Sequence, residues 1–394
     1  MLPRFTALFL FASAALAQPI ITPRGGDATF DVATWNIEQF GDPSPSTPPD
    51  QRQIHNAEAI LSQAEIDLWA VQEVKTQEVW DDLLGRLRDD GYAGRLGTEP
   101  TFGDLKAGFI YDSTVVSVIG TGTPLPVTGS FGGKQPFELH AQVTVGGETR
   151  TVRVIALHAK NGNSENDHFN RTQGALKLKA YIDERIAEGE SVILLGDFND
   201  FLTRGRWRGA TGSPYAPFVE DADYVAATVA LENAGIPTIC GGDPACFGGT
   251  TIDHILYTSN FPAQLVEVAR YDEALTEVEN FFVTTSDHAP VLVRFDLAAP
   301  VVCDCTEPPP VRLLPPAPHP FRGPTDLRFA LRAASDVRLE VFDVLGRSVV
   351  EVEGSFGAGD HAVALDGAVL APGAYVVRLT AGEAVRSSVI VRAD

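Results

Sequence analysis

An α/β domain followed by a smaller all-β sandwich is the expected fold of this chain, on three grounds. From Asp27 to about Leu297, short β-rich runs alternate with longer amphipathic stretches. A Pro-rich stretch, Glu307-Pro308-Pro309-Pro310 through Pro315-Pro316-Ala317-Pro318-His319-Pro320, then breaks every periodic pattern and should be extended. Beyond it come only short alternating runs punctuated by Gly and Pro.

In chain order, Arg4, the apolar run Leu8-Phe9-Leu10-Phe11 and the ending Ala15-Leu16-Ala17 fit a cleavable signal peptide over residues 1–17. A secreted or cell-surface protein is therefore expected. The run is too short to span a bilayer, and no other segment reads as transmembrane. In the α/β domain, residues 25–298, strands are expected at Phe30–Trp35, Asp67–Val71, Gly108–Tyr111, Val152–Leu157, Val192–Leu195, Ile252–Tyr257 and Val291–Phe295. Helices are expected at Arg52–Ala64, where Ile54, Ala57, Ile60 and Leu61 keep helical spacing, and at Thr76–Asp89 and Asn170–Ala187. After a linker over 299–320, the sandwich over 321–394 should hold strands at Leu327–Leu331, Val337–Asp343, Ser348–Val352, His361–Leu365, Ala374–Thr380 and Ser387–Val391.

A chain of 394 residues with 44% hydrophobic content can bury one large core and a smaller one. Its net charge of −22, from 52 acidic against 30 basic residues, leaves no broad cationic footprint, which argues against a pure nucleic-acid-binding module. A nuclease stays compatible, because a metal-filled cleft with a few local cations can hold one phosphate against an unfavourable global field. In an exported chain the four cysteines read as disulfide formers rather than metal ligands. Cys240 and Cys246 bracket a turn-rich loop suited to a local bridge, whereas Cys303 and Cys305 stand too close for an unstrained one.

The residues that could do chemistry sit where expected strands end. Asn36 and Glu73 come first; alone, Asn36 reads sooner as a turn cap and Glu73 as a solvated charge at a helix start. His158 follows the apolar run Val154-Ile155-Ala156-Leu157, where a lone histidine is ordinarily structural. Asp197 and Asn199 follow the buried run Val192–Leu195 and, at i and i+2, share one side if strand geometry persists. Asp253-His254 and Ser286-Asp287-His288 complete the set. Such oxygen-rich donors, with neither thiolate nor multi-histidine cluster, suit Mg²⁺, Mn²⁺ or Ca²⁺ better than Zn²⁺.

The order Trp-Asn-Ile, Gln-Glu-Val, Leu-His-Ala-Lys, Gly-Asp-Phe-Asn-Asp, Ile-Asp-His and Ser-Asp-His-Ala-Pro, over about residues 28–297, resembles the exonuclease/endonuclease/phosphatase superfamily and its deoxyribonuclease I-like branch. The resemblance implies a four-layer α/β sandwich of two packed sheets flanked by helices, with a divalent metal, Mg²⁺ first, at one edge. Asn36, Glu73 and Asp287 then match metal-site positions, and Asp197 and Asn199 the pair that orients water and phosphate. His288 matches the catalytic imidazole, Asp253 its carboxylate partner, and His158 the second active-site histidine. Lys75 and Lys134 stand where phosphate-contacting arginines are common; lysine keeps the charge without the bidentate fork. Asp104 is the candidate acidic partner of His158. Arg171 is open to two readings, a phosphate contact or a helix salt bridge.

The segments Pro318-His319-Pro320-Phe321, Val341–Arg347 and Leu370–Leu379 resemble the C-terminal sorting domain of the type IX secretion system. That implies the secretion machinery as partner, no catalytic residue in the domain, and no stable protein partner besides. Expected function is a secreted metal-dependent phosphodiesterase, foremost a nuclease acting on DNA or RNA. A phosphomonoesterase or sphingomyelinase-like phosphodiesterase, and a catalytically silent surface protein, are the rivals.

Overall fold

The computed structural model describes residues 18–42, 50–98, 105–125, 129–241, 243, 246–299, 311–318, 320–343, 346–382 and 384–393. The expected signal peptide, Cys303, Cys305 and Asp104 lie outside these residues. The larger domain carries strands β1 (Phe30–Phe40), β2 (Leu68–Val74), β3 (Tyr92–Leu96), β4 (Lys106–Asp112), β5 (Val116–Gly122), β6 (Phe137–Val145), β7 (Glu148–His158), β8 (Val192–Asp197), β9 (Tyr224–Ala226), β10 (Asp253–Thr258), β11 (Gln264–Arg270) and β12 (Val291–Asp296). They form two six-stranded sheets, ordered β11-β12-β1-β2-β4-β3 and β5-β6-β7-β8-β10-β9. The long helices are α1 (Asp50–Gln63), α2 (Gln77–Leu87) and α3 (Glu165–Ala187).

Strand alternation sorts the side chains into layers. Phe30 and Val32 of β1, Leu68 and Ala70 of β2, Val154 and Ala156 of β7, Ile193 and Leu195 of β8, and Ile255 and Tyr257 of β10 meet in one core between the sheets. The opposite face of the first sheet, with Ala33, Trp35, Trp69 and Val71, packs on Ile54, Ile60 and Leu61 of α1 and Trp80 and Leu83 of α2. The outer face of the second, with Ile155, Leu157 and Leu194, packs on Ala175, Leu178 and Ile182 of α3. The result is the α/β/β/α arrangement expected. α3 starts on a capping box in which Ser164 and Asp167 satisfy each other's backbone N–H groups.

The C-terminal part holds β13 (Val311–Ala317), β14 (Thr325–Leu331), β15 (Ser335–Phe342), β16 (Ser348–Phe356), β17 (Gly359–Leu365), β18 (Gly373–Ala381) and β19 (Ala384–Arg392), in sheets β13-β14-β17 and β16-β15-β18-β19. All six strands expected there are present. Part of the Pro-rich stretch expected as linker is instead β13, which pairs with β14 from Val311↔Leu331 to Ala317↔Asp326. The pairing breaks register between Leu314 and Ala317 on this edge strand, so the N–H groups that Pro315 and Pro316 lack forfeit no ladder bond. The two parts are packed together: Leu176 of α3 joins Ala374 and Val389, and buried Lys179 reaches Asp183 and Asp221, each at 2.9 Å, and Ser387 O at 2.8 Å. Among the described residues, no helix is long and apolar enough to cross a membrane.

Candidate active site

The register of the strands assembles the site. On the inter-sheet face, β8 continues Ile193-x-Leu195 to Asp197, β7 continues Val154-x-Ala156 to His158, and β10 begins at Asp253 before Ile255. His158 lies opposite Asp197 in the parallel β7–β8 pair, and Asp253 lies opposite it in the antiparallel β10–β8 pair. Three polar side chains thus stand abreast where the core opens. Gly196 lets the strands approach: at φ +143° any Cβ would sit 1.9 Å from Leu157 O.

Irregularity supplies the opposite wall. β1 and β2 lose register between Asn36 and Phe40, and Glu38, Gln39 and Glu73 all take positive φ. Bulges of this kind re-aim side chains. Here Gln39 N donates to Glu73 Oε2 at 2.9 Å, and Asn36 Nδ2 donates to Glu73 Oε1 at 3.0 Å and to Asp197 Oδ2 at 3.2 Å. Asn199, also at positive φ, donates its N to Asp197 Oδ1 and its Nδ2 to Asp197 Oδ2, both at 2.9 Å. His288 is delivered by the turn before β12, whose Ser286 hydroxyl donates to Asn36 O at 2.6 Å. Its Nδ1 lies 3.0 and 2.9 Å from the two oxygens of Asp253, and Thr238 Oγ1 donates to the same carboxylate at 2.6 Å.

The two histidines are driven to opposite protonation states. Burial, then the charges of Lys134 and His288, push His158 well below its ordinary value, leaving a neutral ring whose Nε2 contacts Lys134 Nζ. Burial alone would lower His288 as well, but the charge and hydrogen bond of Asp253, with Asp197 and Asp287, outweigh it and hold His288 well above 6.5. Burial raises the Asp197 carboxyl, with the His288 charge opposing and Asp253 reinforcing. Burial lowers Lys134 to about 8 against the charges of Asp197 and Glu73. Titratable groups pushed apart in one cleft mark acid and base roles.

The donor set suits a hard cation. Ligand atoms of Glu73, His158 and Asp197 all lie within 4.8 Å of one another. Two carboxylates aimed at the single amide of Asn36 are two anionic lone pairs converging on one point, where a divalent ion would offset their mutual repulsion. Asp287, expected with the metal residues, is not in that group; its Oδ1 lies 3.9 Å from His288 Nε2 and its N donates to Glu38 Oε2 at 2.9 Å. Asn36 presents its NH₂ to the carboxylates while its oxygen accepts from Glu38 N at 3.0 Å.

Residues 33–288 match the Endonuclease/Exonuclease/phosphatase family. The chain belongs to that family. It is accordingly a divalent-metal-dependent hydrolase, and the cluster just described is where its residues would hold the ion. An endonuclease/exonuclease/phosphatase from Bacteroides vulgatus is similar at 17% identity and TM-score 0.51, covering 68% of this chain and 99% of that one. A functionally unknown conserved protein from Enterococcus faecalis V583 is similar at 15% and 0.50, covering 67% and 98%. The human Nocturnin catalytic domain aligns at 16% and 0.49, covering 69% and 96%. At such identities the likeness shows the fold alone. No curated protein matches the chain.

Other candidate residues are held by partners of their own in this family member. Lys75 pairs with Asp42 at 2.9 Å. Arg171 is fully buried, with Nη2 and Nε 2.8 and 2.9 Å from Asp200 Oδ2, and Nη1 donating to Lys160 O and Gly162 O at 2.7 and 2.8 Å. Of its two readings, the ion pair is the one present, and Asp200 gains a structural role. His254 is also structural, placed between Thr228 Oγ1 at 3.0 Å and Asp200 O at 3.1 Å. Sequence reasoning passed over Glu38, raised to about 7 by burial and then by Asp287, and Arg206, whose Nη1 donates to Asn199 O at 3.1 Å. Glu38 directly follows the Trp-Asn-Ile motif, in the stretch where β1 and β2 lose register. The local Cys240–Cys246 bridge is formed, and Cys240 N donates to Asp287 O at 2.8 Å.

Proposed function

We propose that this chain is an exported, Mg²⁺-dependent nuclease that hydrolyses phosphodiester bonds of DNA or RNA, with residues 321–394 serving its passage through a type IX secretion system. The observation that carries the catalytic part is the placement of Asp197 between a cationic His288 held by Asp253 and the Glu73–His158 pair. When bound, the ion polarises a phosphoryl oxygen and offsets the charge that develops on it. Asp197, its carboxyl raised by burial, takes the proton of the attacking water, and Asn199 orients water and phosphate. Protonated His288 donates to the phosphoryl or leaving oxygen, and Asp253 keeps its Nδ1 proton in place. Lys134 brings a cation to the phosphate on the side of His158.

Plasmid DNA, RNA, sphingomyelin vesicles and a phosphomonoester offered in parallel, each with chelator and with Mg²⁺, Mn²⁺ or Ca²⁺, test this reading. Cleavage of DNA or RNA that needs metal is expected. Preference for sphingomyelin or the monoester would replace the nuclease assignment, and fluorescence of a tagged chain retained inside the cell would remove the export assignment.

A further inference from the structure

Directly after Asn199-Asp200 the chain reads Phe201-Leu202-Thr203-Arg204-Gly205-Arg206-Trp207-Arg208, an arginine at every second position within a chain of net charge −22. The segment is tied back to the catalytic pair rather than loose. Asp200 Oδ1 accepts from Phe201 N at 2.9 Å and again from Arg206 N at 2.6 Å, so the excursion closes on itself. Arg206 then donates to Asn199 O, and the Trp207 indole packs 5.7 Å from the His168 ring.

Elsewhere Arg24, Arg153, Arg171 and Arg294 sit on carboxylates. Here Arg206 and exposed Arg208 have no ion-pair partner among the described residues. Arg204, its side chain 61% exposed, lies 3.8 Å over the Phe201 ring; its nearest carboxylate oxygen, Glu232 Oε1, is 4.0 Å away and already accepts from Thr203 Oγ1. Arg206 is anchored on the backbone of Asn199, and Arg204 and Arg208 flank it in sequence; guanidinium groups that no close carboxylate grips are set to meet an anion from outside.

We infer that Arg204, Arg206 and Arg208 form a subsite for phosphates of the nucleic-acid strand flanking the scissile bond, so that the substrate class is a polynucleotide rather than a mono- or dinucleotide. This rests on the nuclease reading above. The strand's phosphates supply the anions that close carboxylates do not supply to this loop, and Asn199, five residues before Arg204 and bonded through its O to Arg206, sets the register between flanking and scissile phosphates.

The test compares wild type, Arg204→Ala/Arg208→Ala and Arg204→Lys/Arg208→Lys on single-stranded oligonucleotides of increasing length and on bis(p-nitrophenyl) phosphate. In wild type, the ratio of kcat/KM for oligonucleotide to that for the small diester should rise with length. In the alanine pair the ratio should fall about tenfold on the longest strand, and the dependence of log KM on log salt should flatten by about 1.4, since each lost single-strand phosphate contact removes about 0.7. The lysine pair should recover most of that slope. Equal loss on both substrates, with the thermal midpoint lowered, would mean that the loop only supports the site, and an unchanged ratio would mean that it touches no strand; either overturns the subsite while leaving a nuclease. Wild type that cleaves the small diester but no oligonucleotide overturns both readings.

Discussion

His288 and His158 share one rim yet differ in charge because of what each faces. His288 has Asp253 bound at Nδ1 and two further carboxylates nearby, whereas His158, with Lys134 at its Nε2 and Glu73 and Asp197 3.4 and 3.5 Å from the same atom, is kept neutral by burial and then by the charges of Lys134 and His288. Asp253→Asn should therefore let His288 fall back toward the range of a buried imidazole, move the basic limb of the pH profile of kcat/KM to lower pH, and lower kcat by about a hundredfold or more. Stability follows the same sign. A histidine raised above about 6.5 stabilises the fold fully below that pH and loses its contribution as pH rises through the elevated value. The thermal midpoint of wild type should consequently decline on the alkaline side relative to Asp253→Asn; parallel curves would show that the pair is not charged. Most of these residues were legible because each follows an apolar strand whose period fixes its face. Asp197 and His158 are such cases, and Asp253 stands in the same way at the start of β10. Glu38 and Glu73 depend on bulges with positive φ, and Arg206 on a loop folding back to Asp200, for which periodicity carries no signal.

Among the secondary elements, α3 does more than cover a sheet. Its Arg171 plugs the turn after Asn199 by gripping Asp200, and the same guanidinium ties down Lys160 O and Gly162 O after β7. Arg171→Met should cost about 3–5 kcal/mol, because it leaves Asp200 buried and uncompensated. Its denaturant midpoint, measured beside that of the exposed-site variant Arg208→Ala, checks this; similar midpoints would mean that Asp200 finds other partners. The expected strands of the large domain all formed, and the long helices lie where apolar spacing put them. β5 and β11, at sheet edges with one and no fully buried residues respectively, lacked a strong pattern. β6 did carry one, in Phe137, Leu139, Ala141, Val143 and Val145, and was readable in principle.

Across the whole chain, the C-terminal sandwich is docked on α3 rather than merely trailing from a linker. Lys179 is buried between Asp183, Asp221 and Ser387 O, flanked by the cross-domain pairs Arg378–Glu220 at 3.5 Å and Arg386–Asp223 at 3.4 Å. Removing residues 311–394 would uncover Leu176 and leave Lys179 without one of its partners, so the thermal midpoint of the remaining domain should fall. Hydrolysis should persist, because every residue of the rim lies before β13; a well-folded truncation without activity would place part of the site in the sandwich. The domain order was legible from composition, whereas this docking face was not, since Lys179 and Asp221 read as ordinary surface charges until the fold buries them.

The claim on which the rest depends is that the rim binds a divalent ion for phosphodiester hydrolysis. Its most direct test is a metal titration of hydrolysis in chelator-stripped protein, wild type against Glu73→Gln. Wild type should be inactive in chelator and regain turnover with Mg²⁺, while Glu73→Gln should need far more metal for the same fraction of its activity. Full turnover in chelator, or one metal dependence shared by both proteins, would contradict it.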